Sequence, residues 1–149
     1  MTDLKPPLNS EETPEEPDSF DVFTKEAMRV AVVGSRDFPD LATVKDFVNL
    51  LPNGSVIVSG GARGVDTAAY EAALERGLGT KIYYADWEKH GKSAGFIRNQ
   101  DIVKDADLVV LFWDEQSKGT EHTLALVKKW DKAYMLFVPG EKEEPNEVA

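Results

Sequence analysis

Apolar runs alternate with amphipathic stretches through the middle of the chain. Five runs read as buried strands: RVAVVG at 29–34, SVIVSG at 55–60, KIYYA at 81–85, DLVVLFW at 107–113 and AYMLFVP at 133–139. The stretches between them predict helices at 41–51, 66–76, 93–104 and 121–130. Strands that are apolar throughout and are joined by helices are typical of a parallel sheet covered on both faces.

These elements predict a doubly wound, Rossmann-like α/β domain over residues 29–140. Right-handed crossovers give its parallel sheet the strand order 3-2-1-4-5, with helices on both faces. Ligands of such sheets bind beyond the carboxyl ends of the strands, where the winding reverses between strands 1 and 4. We therefore expect one site to form from the loops after strands 1, 2 and 4, which read GSRDF, GGARGVD and DEQSKGT.

Charge separates the two ends of the chain from this domain. Six acids against one lysine in residues 1–20, and four acids against one lysine in 141–149, account for −8 of the net charge of −10. Residues 1–28 also contain four of the eight prolines, which predicts a largely disordered acidic leader, and residues 141–149 are predicted to be an acidic tail. The acidic balance and the lack of a basic face disfavour binding to nucleic acid.

Composition excludes several kinds of site. The chain has no cysteine and two histidines, which excludes disulfides and thiolate zinc sites and leaves no predicted metal or cofactor. The longest apolar run, LVVLFW at 108–113, is too short to cross a bilayer. The first residues lack the basic flank and apolar core of a signal peptide. We expect a cytoplasmic protein without membrane contact.

The second loop has the composition of an anion site. Gly60, Gly61 and Gly64 let backbone amides approach a ligand closely, and the free N–H groups of the next helix favour a negative charge. Arg63 would add a forked donor for phosphate, although a tight turn with Arg63 in solvent is the alternative. Asp66, in the first helical turn, would either cap the helix or accept a hydrogen bond from a ribose hydroxyl.

The first and fourth loops add further candidates. In the first loop, Gly34 permits close approach, and Ser35 and Arg36 supply a hydroxyl and a guanidinium, with a surface salt bridge as the alternative role of Arg36. In the fourth loop, Gly119 and Thr120 stand directly before the last predicted helix, where free amides would face a ligand. Thr120 could instead be the N-cap of that helix.

Residues of the third predicted helix and its flanks complete the candidate site. Arg98 and Asn99 lie in GKSAGFIRNQ and could point into the crevice, although an arginine on an amphipathic helix is usually solvated. Trp87 and Trp113 flank the predicted site, where they would either stack on a base or belong to the core.

Four motifs occur in an order that resembles a known superfamily. VVGSRDF, SGGARGVDTAA, ADWEKHGKSAGFIRNQDIV and ADLVVLFWDEQSKGT resemble the SLOG superfamily of Rossmann-like proteins, especially its small YspA-like and YAcAr members. The resemblance covers about residues 29–139 and implies a nucleotide or nucleotide-derived ligand, held at the glycine-rich loops by a sensor or sequestering module. It also implies a homodimer.

Within this superfamily, the lonely-guy phosphoribohydrolases cleave the N-glycosidic bond of a nucleoside monophosphate with an arginine and a glutamate. Arg98 looks like their arginine. Thr123 stands where their glutamate should be, and Glu121 falls two residues early, a rotation of about 200° on a helix. A nucleotide N-glycosidase that uses Arg98 and Glu121 as catalytic residues is therefore the alternative function, and the misplaced acid counts against it.

Overall fold

The structure, a computed structural model, describes residues 27–140 and 144–145. Most of the predicted leader at 1–28 and of the predicted tail at 141–149 lies outside the described residues, so the division of the chain into leader, domain and tail stays a prediction. Within the described residues, no helix combines the length and apolar character needed to span a lipid bilayer.

A single sheet organises the domain. Its strands are β1 (Arg29–Gly34), β2 (Val56–Ser59), β3 (Gly79–Ile82), β4 (Leu108–Phe112), β5 (Tyr134–Phe137) and β6 (Glu144–Pro145), in the spatial order β3-β2-β1-β4-β5-β6. The first five strands are parallel, which confirms the predicted order 3-2-1-4-5. The two-residue strand β6 pairs antiparallel with β5 and was not predicted, because so short a strand leaves no periodic pattern.

Helices cover both faces of the sheet, as predicted. The helices are α1 (Leu41–Asn49), α2 (Val65–Arg76), α3 (Trp87–His90), α4 (Ala94–Asp105) and α5 (Lys118–Lys129). Helices α1 and α2 pack on one face, and α4 and α5 on the other. Along β1, Val30 and Val32 point to the first face while Ala31 and Val33 point to the second, so the continuous apolar runs supply two cores at once.

Strand β3 ends earlier than its sequence predicts. The apolar run KIYYA indicates a strand at 81–85, but β3 pairs with β2 from Gly79 to Ile82. The shift follows from the partner, because β2 ends at Ser59 and offers no further ladder position. Tyr84 therefore lies past the carboxyl end of β2, with 73% of its surface exposed.

The last helix begins earlier than predicted. Helix α5 starts at Lys118, three residues before the predicted start at Glu121. Ser117 is its N-cap, since its hydroxyl accepts a hydrogen bond of 3.2 Å from the backbone N–H of Thr120. Gly119 and Thr120 thus lie inside the first turn, so Thr120 is not the N-cap.

Gly34 allows β1 to end in close contact with its neighbours. A Cβ at this position would collide with the backbone carbonyl of Phe112 and lie 2.8 Å from Cγ2 of Val65. The end of β1 is thus pressed between the end of β4 and the start of α2. This contact brings the loops after β1, β2 and β4 together at the carboxyl edge of the sheet.

We predict opposite stability effects for the same substitution at two glycines. Gly34→Ala should lower the free energy of unfolding by about 1–3 kcal/mol, because the added methyl group has no space. Gly119→Ala, where a Cβ would meet nothing within 4 Å on a helix, should raise it by roughly 0.5–1 kcal/mol. Urea denaturation followed by circular dichroism measures both values, and equal midpoints for the two variants would contradict the packing described here.

Candidate functional site

A cleft of about 480 Å³ opens at the carboxyl edge of the sheet. Its walls come from the loops after β1, β2 and β4 and from the helices α3, α4 and α5. Nine of the candidate residues line it: Gly34, Arg36, Gly60, Asp66, Trp87, Arg98, Asn99, Gly119 and Thr120. The topological switch point thus brings together residues from all three loops.

The remaining candidates of the first two loops do not line the cleft. Ser35 is buried, and its hydroxyl lies 2.9 Å from a carboxylate oxygen of Asp114, so it ties the loop after β1 to the loop after β4. Gly61 borders a second, smaller cleft, and Arg63 is exposed. Gly64, with a φ of +82°, is the N-cap of α2 and packs against the backbone of Arg36.

Glu121 points away from the cleft. It is exposed on the first turn of α5, where its carboxylate lies 3.8 Å from the ammonium group of Lys118. Thr123 lines the cleft, and its hydroxyl donates to the backbone carbonyl of Gly119. The cleft wall formed by α5 therefore presents a hydroxyl at the place where a glycosidase of the lonely-guy type has a carboxylate.

Asp66 binds the loop that precedes it. One oxygen of its buried carboxyl group accepts hydrogen bonds from the backbone N–H groups of Gly60, at 3.1 Å, and Ala62, at 3.2 Å. Its other oxygen, Oδ1, has no hydrogen-bond partner among the described residues. Burial raises the pKa of Asp66 to about 6, although the two loop amides and the charge of Arg98 act in the opposite direction. Asp66 therefore folds back onto the loop and does not cap α2.

Arg98 holds the same loop from its other side. Its Nη1 donates a hydrogen bond of 2.6 Å to the carbonyl of Gly60, and its Nε donates one of 3.0 Å to Asn99 Oδ1. Burial lowers the pKa of Arg98, and the charge of Asp66 partly offsets this effect. Gly60 is thus bonded through both its N–H group and its carbonyl.

The mouth of the cleft carries two exposed aromatic rings. Trp87, at the start of α3, is 59% exposed, and Phe96, in the first turn of α4, is 47% exposed. Both line the cleft, as do the exposed side chains of Arg36 and Lys92. The ring of Phe96 lies against the imidazole of His122, with 4.4 Å between the ring centroids. Exposed aromatic surfaces and exposed cations therefore line the same cleft.

Sequence reasoning missed Phe96 and Lys92 and left two roles open for Trp113. The GKSAGF segment indicated a helix start but not which side chains would face the cleft, since this depends on α3 and the 3₁₀ turn at Gly91–Ser93. Trp113 is partly buried and donates its indole N–H to the carbonyl of Ser117 at 3.1 Å. It therefore supports the loop after β4 and does not line the cleft.

The sequence is similar to proteins that act on DNA and to a phage protein. The model of the family described as DNA recombination-mediator protein A matches residues 21–86, which include the loops after β1 and β2. The gene 61 protein of Mycobacterium phage D29 is 38% identical over 111 residues, or 68% of this chain and 89% of that protein. The chain belongs to the family of this phage protein.

Solved structures extend this likeness to the fold. The DNA processing protein A (DprA) of Streptococcus pneumoniae has a TM-score of 0.65 and 24% identity over 77% of this chain, and the chain spans about half, 51%, of that protein. DprA of Helicobacter pylori has a TM-score of 0.57 and 25% identity, over 81% of this chain and 68% of that one. The structure of the latter is described as showing a single-stranded DNA binding mode. This chain thus has a DprA-like, Rossmann-like fold of the SLOG type.

These findings confirm the predicted superfamily and correct the predicted ligand. The matching family model and both solved structures are of DNA-processing proteins and do not support the YspA-like or lonely-guy assignment, so the prediction of a sensor or sequestering module for a small nucleotide is wrong. The geometry supplies a reason, because the Asp66 carboxylate already occupies loop amides that were expected to hold a phosphate. The alternative, a nucleotide N-glycosidase, has no support either.

The prediction that disfavoured nucleic acid is also wrong, given the DNA-binding description of the H. pylori relative. That prediction rested on the acidic balance of the chain, most of which lies in residues 1–20 and 141–149, and on the lack of a basic face in the sequence. The cleft itself has three cationic side chains in its lining, those of Arg36, Lys92 and Arg98. Three carboxyl groups, those of Asp37, Asp66 and Asp114, also line it, and those of Asp66 and Asp114 accept hydrogen bonds from backbone N–H groups of the loops. A phosphate therefore meets these local charges, with Arg36 and Lys92 exposed among them, and not the average over the chain.

We predict a characteristic pH dependence for Asp66→Asn. The pKa of Asp66 in the folded protein, about 6, is above the ordinary value of 3.8, so protonation favours folding. This contribution is fully present below about pH 4 and is lost as the pH rises through 6, and its size is about 2–3 kcal/mol. The Asn variant keeps an acceptor for the loop amides and lacks this titration. As the pH rises from 4 to 7, the free energy of unfolding of Asp66→Asn should therefore increase relative to that of the natural protein.

Urea denaturation at a series of pH values measures the difference between the two proteins. Other titrating groups contribute equally to both curves and cancel in the difference. Glu75→Gln, which removes an exposed carboxylate near the far end of α2, is the matched control for the change in charge. Parallel curves for the natural protein and Asp66→Asn would show that the carboxyl group titrates normally.

Proposed function

We propose that the cleft binds single-stranded DNA. The observation that carries this proposal is the exposure of two aromatic rings, Trp87 and Phe96, beside two exposed cations, Arg36 and Lys92, at one cleft mouth. Stacking platforms next to cations are how proteins bind single strands without reading their sequence. The description of the H. pylori relative supports the same ligand class.

The aromatic rings favour a single strand over a duplex. In a duplex the faces of the bases are stacked on one another, whereas an unpaired base can turn its face to a side chain. Stacking of one base on an aromatic ring contributes about 1–3 kcal/mol. Trp87 and Phe96 leave about half or more of their surface exposed, and a stacked base would cover it.

The cations act on the phosphates. Arg36 and Lys92 are exposed and free to follow the backbone of a strand, whereas Arg98 is bonded to the loop carbonyl of Gly60. Two or three phosphate contacts give a modest electrostatic contribution that falls steeply with salt. We infer a binding mode in which stacking sets the affinity at physiological salt and the cations guide the strand to the cleft.

Removing a stacking ring should weaken binding. We expect Trp87→Ala and Phe96→Ala each to cost about 1–3 kcal/mol of binding free energy to an oligothymidylate. Leu74→Ala removes an equally exposed apolar side chain from α2, away from the cleft, and should leave the affinity unchanged. Fluorescence anisotropy of a labelled oligonucleotide measures all three variants. A natural protein that fails to bind the strand at low salt would refute the proposed function.

Removing a cation should change the salt dependence. For a single strand, the logarithm of the association constant decreases as the logarithm of the salt concentration rises. The magnitude of this negative slope becomes smaller by about 0.7 for each phosphate contact that is lost. We expect this change for Arg36→Ala and for Lys92→Ala. Lys129→Ala, which removes the same charge from the last turn of α5, should leave the slope as it is. Identical slopes in all four proteins would show that the cleft cations do not meet phosphates.

A further inference from the structure

A second cleft, of about 230 Å³, lies on the other side of the loop after β2. Its lining consists of Ser59, Gly61, Asp66, Thr67, Tyr70, Ile82 and Tyr84. Asp66 lines both clefts, so the backbone segment 60–62, which Asp66 holds, forms the partition between them. None of these residues except Asp66 lines the main cleft.

Tyr84 forms an open wall of this second cleft. Its ring is 73% exposed and lies directly against the backbone of Gly61, where a Cβ would stand 2.9 Å from the ring and 3.0 Å from Cγ2 of Ile82. Gly61 also has a φ of +75°, which other residues rarely adopt. Both facts require a glycine at this position, and together they let the ring of Tyr84 approach the loop.

The chemistry of the lining selects against a charged ligand. The second cleft has no cation in its lining, and its charged side chain, Asp66, is an acid. A phosphate would therefore find no counter-charge there. The hydroxyl of Thr67 donates to the carbonyl of Ala62 at 2.9 Å, so its oxygen remains an acceptor for N–H groups of a ligand. An uncharged flat ring that carries N–H donors fits this environment.

The size of the second cleft points to a ring and not to a whole nucleotide. Sites for small molecules of drug size measure about 300–1,000 Å³, a range that includes the main cleft and excludes the second. The two clefts adjoin, and only the main one has cations. If the phosphates of a strand lie along Arg36 and Lys92, a base can enter the second cleft and reach Tyr84 while its phosphate stays outside that cleft.

We propose that the second cleft binds an unpaired base of the same DNA strand, stacked on Tyr84. This inference rests on the proposed function and extends it. One base occupies the main cleft beside Trp87 and Phe96, another occupies the cleft beside Tyr84 and Tyr70, and the loop held by Asp66 stands between them. The protein then binds more of a strand than its main cleft alone would hold.

Binding to a normal and to an abasic strand tests this inference. Tyr84→Ala should weaken binding of a base-bearing oligonucleotide about tenfold and leave binding of an abasic oligonucleotide of the same length unchanged, because stacking needs a base. Tyr84→Phe keeps the ring and should bind like the natural protein. Leu74→Ala is the control for loss of an exposed apolar side chain. Because Tyr84 is largely exposed, Tyr84→Ala should stay folded, and circular dichroism checks this.

Photocrosslinking locates the bases directly. An oligonucleotide that contains 5-iododeoxyuridine at every position should crosslink to Tyr84 as well as to Trp87 or Phe96, as mapped by mass spectrometry of the peptides. Crosslinks confined to the main cleft, together with a neutral Tyr84→Ala and a weakened Trp87→Ala, would overturn the second base site and leave the proposed function intact. A natural protein that binds no oligonucleotide would overturn both.

Discussion

The bond between the Asp66 carboxylate and the amides of Gly60 and Ala62 is the constraint on which both clefts depend. A glycine-rich loop has many conformations available to it, and ordering it costs entropy. Here an internal anion and the Arg98 guanidinium fix the loop through its N–H groups and its carbonyl. The loop is therefore shaped before any ligand arrives, which reduces the cost of binding.

The buried and the exposed side chains around the sheet edge have different roles. The buried polar groups, Asp66, Asn99 and Ser35, fix the loops relative to one another. The exposed groups at the rims, which are aromatic rings and cations, remain free to meet a ligand. Burial of the Asp66 carboxyl group raises its pKa, because the ionised form is destabilised away from water. The same buried group fixes the walls of both clefts.

The architecture could be predicted from the sequence because it depends on long, uniform apolar patterns. The order of five strands, the two covered faces and the meeting of three loops all follow from those patterns and from the handedness of crossovers. The roles within the loops could not be predicted in the same way. Whether the amides of Gly60 and Ala62 face a ligand or Asp66 is decided by the turn of the backbone, which no residue pattern specifies.

The ligand was mispredicted for a related reason. The sequence shows no basic face, because Arg36 and Lys92 come from segments far apart along the chain and only the fold brings them to one cleft. Phe96 was overlooked because its neighbour His122, which supports its ring, lies on a different helix. Tyr84 was assigned to a strand because its apolar run continues beyond the ladder that β2 can offer.

The edges of the sheet restrict how two copies of the domain could associate. At one side β6 occupies the hydrogen-bonding edge of β5, and at the other side β3 is four residues long and carries the exposed Lys81. A short edge strand with a lysine discourages the addition of a foreign strand. These two short edge strands therefore disfavour a dimer in which the strands of two copies pair to form one continuous sheet.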